Sequence, residues 1–348
     1  MVEETKKREA FVKSFLPSKI PRLWCPLLTH YRGDGAIDFD RMSAHLRLVL
    51  PWMRGYLIPG STGDGWELDD RETLEVVNFA LRKSREHEMN LLVGVLKMDL
   101  GSMIGTLENM IGVLRRFSHT GDVTDSLQAA HVCGFTICPP KGKTLSQEKI
   151  YSGLSEIMKR GLPTALYQLP QVTENEVAPE TFERLVAAYP NLIFFKDSSG
   201  QDRIALSSAD KGGMYLVRGA EGDYARWLKD TGGPYDGFLL STANCFPEQL
   251  HEVIEKIEAG DTSSAGKISE KISSTVREVF ALVQSLPHGN AFTNANKAID
   301  HYMAFGTGAA KNPGPMLHAK VRLPDGVIAA TGEALKRYDL MPPKGYLE

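Results

Sequence analysis

The sequence predicts an α/β chain, a (β/α)8 TIM barrel with a C-terminal helical extension, on three observations. Eight short apolar or β-rich runs recur, mostly roughly 20 to 40 residues apart. Helical patterns fill most of the gaps between them. Strands alternating with helices argue for a parallel sheet, and eight such units argue for a closed barrel rather than an open one. A chain of 348 residues admits two domains by length, but barrels of this kind commonly fold as one.

Residues 1–20, "MVEETKKREAFVKSFLPSKI", are charged and lack the long apolar core of a secretory leader. They are expected to form a solvated helix or arm. The barrel core is assigned to 21–246. Its runs are "RLWCPLL" (22–28), "GYLIPG" (55–60), "NLLVGVLK" (90–97) and "GFTICPP" (134–140). After these come "PTALYQLP" (163–170), "NLIFFKD" (191–197), "MYLVRGA" (214–220) and "DGFLLSTAN" (236–244).

Between the runs, Phe39, Met42, Leu46 and Val49 keep a helical spacing, as do Leu74, Val77 and Leu81. "PETFERLVAAY" puts Phe182, Leu185, Val186 and Tyr189 on one face, with a proline at its start. The interval between the third and fourth runs is long, and "SHTGDVTD" (118–125) reads as an insertion. Leu250, Val253, Ile254 and Ile257 repeat the helical pattern until Gly260 stops it. Residues 247–348 read as a C-terminal helical region packed on the barrel.

Composition is that of a globular enzyme, 42% hydrophobic and 24% charged. The 40 basic and 43 acidic residues give a net charge of −3 and are interspersed. That pattern offers no footprint for nucleic acid or an anionic membrane. No run approaches the ~18 apolar residues of a spanning helix. Four scattered cysteines (Cys25, Cys133, Cys138, Cys245) without a CxxC pair fit a reduced, cytoplasmic setting.

Active sites of such barrels form at the C-terminal ends of the strands. The second run ends in "GSTGDG", the fifth in "YQLP", the sixth in "KDSSG", the seventh in "RGAEGD" and the eighth in "STAN". Lys196 follows four apolar residues, and desolvation there favours the neutral amine that attacks a ketone. The stretch alone fits better a lysine that snorkels to solvent or pairs with Asp197. Tyr167, one strand earlier, offers a phenol that can carry protons; it also fits a packed aromatic. Ser61 and Thr62 place hydroxyls and close N–H groups in a turn able to hold a carboxylate, or form a plain glycine-rich βα turn.

Other motifs fail on inspection. "KGKT" (141–144) lacks the P-loop's first glycine, since Ile137 stands there. "GTGAAK" follows no strand, so it is no dinucleotide fingerprint. The nine histidines form neither HxH nor HExxH, so neither a metal nor a cofactor is expected. The glycines of "RGAEGD" suit a phosphate site, but no basic cluster adjoins them.

In their order, these motifs resemble the dihydrodipicolinate synthase / N-acetylneuraminate lyase family of class I aldolases, collinearly over roughly residues 20 to 310. "CPLLTHYRGDGAIDFDRMSAHL" resembles the opening strand and first helix, and "GSTGDGWELDDRE" the GxxGE turn. "YQLP" resembles the YNxP tyrosine motif and "FFKDSSG" the Schiff-base lysine motif. The resemblance implies an imine between Lys196 and pyruvate or another 2-oxo acid. It implies proton transfer by Tyr167, carboxylate binding by Ser61 and Thr62, and a substrate-contacting backbone at Gly219. Ser198 stands near a lyase hydroxyl position, and Glu221 and Ser241 near positions that meet a polyhydroxy chain. A homotetramer assembled from dimers is also implied.

There are departures. Val172 occupies about the place of the synthase's carboxylate-gripping arginine, and Pro140 and Lys141 stand where the synthase has a tyrosine pair. Asp64 is one carbon shorter than the usual glutamate. The expected activity is therefore a class I aldolase, lyase or dehydratase acting on a 2-oxo acid, with a sugar acid as the preferred class. The alternatives are a non-catalytic small-acid sensor and a barrel isomerase with a phosphate site.

Overall fold

The structure, a computed structural model, describes residues 2–348. Eight parallel strands pair in chain order and close into a barrel, β8 returning to β1. The chain begins with α1 (Val2–Phe15), β1 (Leu23–Cys25), α2 (Phe39–Val49), β2 (Gly55–Ile58) and α3 (Asp70–His87). It continues through β3 (Asn90–Val95), α4 (Leu100–Ser118), α5 (Val123–Ala129), β4 (Val132–Ile137), α6 (Gln147–Met158) and β5 (Thr164–Gln168). Next are α7 (Pro170–Thr173), α8 (Pro179–Ala188), β6 (Leu192–Asp197), α9 (Arg203–Leu206), β7 (Tyr215–Arg218) and β8 (Gly237–Leu239). The last helices are α10 (Pro247–Glu258), α11 (Thr262–Val283), α12 (Ala291–Phe305) and α13 (Asp325–Arg337).

All eight expected strands are present, each shorter than its apolar run, and β4 starts two residues earlier than expected, at Val132. The strands are buried on both faces, which is why they read as continuous apolar runs rather than alternating ones. Helix starts follow local chemistry. Asp69 and Glu72 form a reciprocal capping box on α3, and Asp99, Ser146 and Asn290 cap α4, α6 and α12.

Three features depart from the sequence reading. First, α1 is not merely solvated. Arg8 is buried and donates to the carbonyls of Leu192 (2.7 Å), Val186 (2.5 Å) and Gly212 (2.5 Å). Carbonyls in the last turn of a helix lack intrahelical donors, and the guanidinium supplies them at the end of α8. Second, "SHTGDVTD" is the turn between α4 and an additional helix, α5. His119 ends α4 in a left-handed conformation and Asp122 caps α5.

Third, the outer layer is uneven. The β6–β7 connection holds only the single turn of α9, and the β7–β8 connection only short 3-10 turns at Tyr224–Arg226 and Lys229–Thr231. Helix α11 packs into this gap: Ser273 Oγ accepts from Asp223 N (3.1 Å) and Ser269 Oγ from Ala225 N (3.4 Å). The C-terminal region thus completes the barrel's cover. Among the described residues no helix is long and apolar enough to cross a membrane.

Candidate active site

The register of the barrel brings the two leading residues side by side, since Tyr167 on β5 pairs directly with Lys196 on β6. Lys196 is only 4% exposed, and its Nζ lies 4.0 Å from the centre of the Tyr167 ring. Burial lowers its amine to about 7, with Cys138, Glu221 and Cys25 opposing. Burial also pushes both thiols up, so Glu221 is the one formal anion of the three. Lys196 neither snorkels nor pairs with Asp197. That carboxyl accepts from Ser199 N at 2.9 Å, and burial raises it to about 6.

Tyr167 is 2% exposed and its Oη stands 3.3 Å from Ser61 Oγ. Ser61 Oγ in turn accepts from Trp66 Nε1 at 2.7 Å. With that lone pair filled, the serine keeps a proton and a further lone pair for the phenol. Burial raises the Tyr167 phenol, against the Ser61 hydrogen bond, so it is a protonated donor at neutral pH. Ser198 Oγ is buried with no hydrogen-bond partner among the described residues.

Gly219 explains how the lysine and Ser198 fit. A Cβ there would sit 2.1 Å from Ser198 Oγ and 2.7 Å from Lys196 Cε. Only a glycine lets β7 approach this closely. Ser61, Ser198, Gly219, Tyr167 and Lys196 therefore share one small volume at the barrel mouth.

Ser241 is placed differently. Its hydroxyl donates to Glu221 Oε1 at 2.5 Å, so its proton is committed to the protein. Glu221 also accepts from Thr242 N (3.1 Å), Thr242 Oγ1 (2.6 Å) and Tyr224 Oη (2.8 Å). Arg218, the cation beside the "RGAEGD" glycines, is fixed on Asp202 at 3.0 Å and stacked on Trp227. It is not free to hold a phosphate.

The turn carrying Ser61 and Thr62 is clamped from α12, a helix more than 200 residues away in sequence. Thr293 Oγ1 donates to the carbonyls of Ser61 (3.1 Å) and Thr62 (3.0 Å), and Asn290 Nδ2 to that of Ser61 (3.2 Å). Asp64 ends the turn at φ 60°, in the left-handed region. It is held there by Lys297 Nζ (2.9 Å) and Tyr31 Oη (3.0 Å), all three buried. These clamps leave the N–H groups that open the turn, which lack intrahelical acceptors, aimed in a fixed direction.

Among the described residues one group of metal-ligand type is present, His30, His45 and Asp300, and the hydrogen bonds argue against ligation. His45 Nε2 donates to Asn244 O (2.8 Å), so its Nδ1 is the acceptor from His30 Nε2 (2.9 Å). Asp300 meets Arg41 (2.9 Å) and Tyr346 (3.0 Å), and the nearby Arg41 guanidinium would repel a cation. A cavity of about 1020 Å³ lies at the opposite end of the barrel, between Arg22, Arg54, Glu88, His131 and Glu258. None of the reactive groups above lines it.

Trp66, Asn290, Thr293 and Lys297 were not among the candidates derived from sequence. The last three gave no local signal: they lie on the polar face of "NAFTNANKAIDHY", opposite Phe292, Ala295 and Ile299, where a solvated surface is expected, yet Thr293 and Lys297 are buried.

Comparison with known proteins bears on the fold and the family. The model of the "Dihydrodipicolinate synthetase family" matches residues 118–289. The chain is 25% identical over 314 residues to 4-hydroxy-tetrahydrodipicolinate synthase 1 of Streptomyces coelicolor, covering 90% of this chain and 93% of the relative. It is 26% identical over 288 residues to the synthase of Streptococcus pneumoniae strain Taiwan19F-14, covering 82% and 84%. Among solved structures, the chloride-inhibited dihydrodipicolinate synthase of Acinetobacter baumannii complexed with pyruvate superimposes with a TM-score of 0.71 at 19% identity, covering 93% of this chain and 100% of that one. An E. coli K12 prophage protein of the dihydrodipicolinic acid synthase family, also in complex with pyruvate, gives 0.70 at 17%, with the same coverage. These structures share the barrel, and the sequence relatives are similar over 82–90% of this chain. Residues 118–289 of the chain are thus similar to the dihydrodipicolinate synthetase family.

Proposed function

We propose that this protein is a class I aldolase or related lyase that captures pyruvate, or another 2-oxo acid, as an imine on Lys196. The observation that carries the reading is the Lys196 amine itself. It is buried, lowered to about 7, and set 4.0 Å from the centre of the Tyr167 ring. At neutral pH about half of such amines are uncharged, against about one in a few thousand for an ordinary lysine. Two structural neighbours hold pyruvate and the sequence relatives carry synthase names, which supports the same substrate here.

In this reading the Ser61 and Thr62 turn receives the carboxylate of the 2-oxo acid. The neutral amine attacks C2, Tyr167 gives its proton to the carbinolamine oxygen, and water leaves as the imine forms. The protonated imine then takes up the electrons of a breaking bond to C3, or loses a C3 proton to give the enamine that attacks an acceptor. Ser61 keeps the phenol in place, and Gly219 leaves room for the lysine to swing. A sensor without turnover has less support, because it has no need of an uncharged amine beside a proton donor.

Incubation with pyruvate and borohydride should add the reduced adduct to Lys196, read by mass spectrometry of the peptide. Lys196→Ala should lose the adduct. Normal turnover by that variant would overturn the assignment. The four cysteines are free and buried, which supports a reduced, cytoplasmic setting. A homo-oligomer, tetramer or dimer, is carried by the family resemblance. A solved relative is described as a monomeric variant, so sedimentation of this chain decides between them.

A further inference from the structure

We propose that the second reactant at this site is an aldehyde with an apolar, aromatic body, rather than a polyhydroxylated or carboxylate-bearing one. The inference rests on the Lys196 imine and names what the enamine meets. Its basis is the division of the barrel mouth into an apolar side and a polar side that is already satisfied.

On the β3–β5 side, Leu96, Cys138, Tyr167 and Leu169 form an apolar cluster separate from the main core. Trp66, Val172 and Phe292 pack on it and are partly exposed, so these three present the wall toward the opening. Met98, at the rim of the same side, is 37% exposed. Tyr167 belongs both to this wall and to the Lys196 pair, so the apolar surface begins at the reacting centre. Rings at Trp66, Phe292 and Tyr167 suit a flat aromatic body.

The opposite side cannot receive a sugar chain in the expected way. A carboxylate accepts about four hydrogen bonds, and Glu221 already accepts four from Ser241, Thr242 and Tyr224. Substrate hydroxyls there would give up water without gaining an acceptor. A distal carboxylate fares no better. Four cations around the mouth are each paired: Lys97 with Asp70 (2.9 Å), Lys141 with Glu174 (3.0 Å), Arg218 with Asp202 (3.0 Å) and Lys297 with Asp64 (2.9 Å). Ser198 Oγ, buried and unpartnered beside Gly219, supplies one polar contact close to the amine, where the aldehyde oxygen arrives.

The reaction is an aldol addition. The enamine from pyruvate forms a bond from its C3 to the aldehyde carbon, and the aldehyde oxygen takes up a proton. Water then hydrolyses the imine, releasing a 4-hydroxy-2-oxo acid with the aryl group on C4 and freeing the Lys196 amine. Cleavage is the same path reversed, with no oxidant or reductant.

The test offers pyruvate with benzaldehyde, glyceraldehyde or succinic semialdehyde, and measures each 4-hydroxy-2-oxo acid by chromatography and mass spectrometry. Benzaldehyde should be used with a kcat/KM at least about 10-fold above either competitor, the scale of discrimination that apolar pocket contacts provide. Val172→Arg should lower kcat/KM for benzaldehyde about 10-fold or more and raise it for succinic semialdehyde. The opposite signs separate a change of specificity from damage to the fold. Borohydride trapping with pyruvate alone is run in parallel. If trapping succeeds but glyceraldehyde or succinic semialdehyde is preferred, or no aldehyde reacts, this inference falls and the imine stands. If trapping fails, both fall.

Discussion

Lys196→Met should stabilise the fold, by an amount that depends on pH. Burial lowers the amine from the ordinary lysine value of 10.5 to about 7. Between those values the unfolded chain holds a proton that the folded chain does not. Stability of the wild type therefore rises with pH across that window. The cost of burying the amine is fully present below pH 7 and gone above pH 10.5. At ~1.4 kcal/mol per tenfold in the proton equilibrium, the cost is about 4–5 kcal/mol at pH 6 and about 1.5 kcal/mol at pH 9.5. Methionine fills nearly the same volume and carries no charge, so it removes this cost. Its advantage over the wild type should shrink by about 3 kcal/mol between pH 6 and pH 9.5. Urea unfolding of both proteins at the two pH values measures the difference, and other titrating groups cancel in it. An advantage equal at both pH values to within about 0.5 kcal/mol, the typical scale of a neutral surface change, would refute a desolvated amine. The argument for Lys196 as a neutral nucleophile would go with it.

Three further outcomes follow from the same geometry. Tyr167→Phe should slow turnover by about 10²–10⁴-fold, the usual contribution of a positioned proton donor, while borohydride still traps some imine. Steady-state rates and adduct mass report the two separately. Gly219→Ala should abolish trapping with circular dichroism unchanged, because the new methyl group would stand 2.7 Å from Lys196 Cε and 2.1 Å from Ser198 Oγ. Asp64→Asn should leave the buried Lys297 ammonium without its anion, costing about 3–5 kcal/mol in urea unfolding, with weaker pyruvate binding as the turn loosens.

Most of the fold was legible because its signals are local. Each strand is buried on both faces, so "NLLVGV" and "NLIFF" stand out without knowledge of their partners. Lys196 and Tyr167 were legible for a related reason: both sit at strand ends, and the barrel's register follows from strand order. What the sequence did not reveal depends on contacts between distant segments. Arg8 looks like any residue of a charged helix until the carbonyls of Val186, Leu192 and Gly212 close on it. Ser241 reads as available in the sequence, because nothing local shows Glu221, 20 residues earlier, claiming its proton. Val172 can be read as a missing arginine, but not as part of a wall with Trp66 and Phe292, since the three come from widely separated parts of the chain.

The same long-range contacts explain why burial lowers Lys196 so far. Burial lowers Lys297 too, but there Asp64 opposes the shift from 2.9 Å and Tyr31 closes over the ammonium. Arg218 is buried against Asp202 in the same way. Arg8 keeps its charge by donating to three or more carbonyls. Lys196 has no carboxylate within ion-pairing distance among the described residues. The carboxylate that favours its charge, Glu221, spends its lone pairs on Ser241, Thr242 and Tyr224. An ammonium at Lys196 would therefore lose its hydration and gain only the face of Tyr167, worth about 2 kcal/mol when desolvated. That is less than the several kcal/mol that burying an ion costs, so releasing the proton is the cheaper course. Pairing the other buried charges is what leaves this one amine available for the nucleophilic role proposed above.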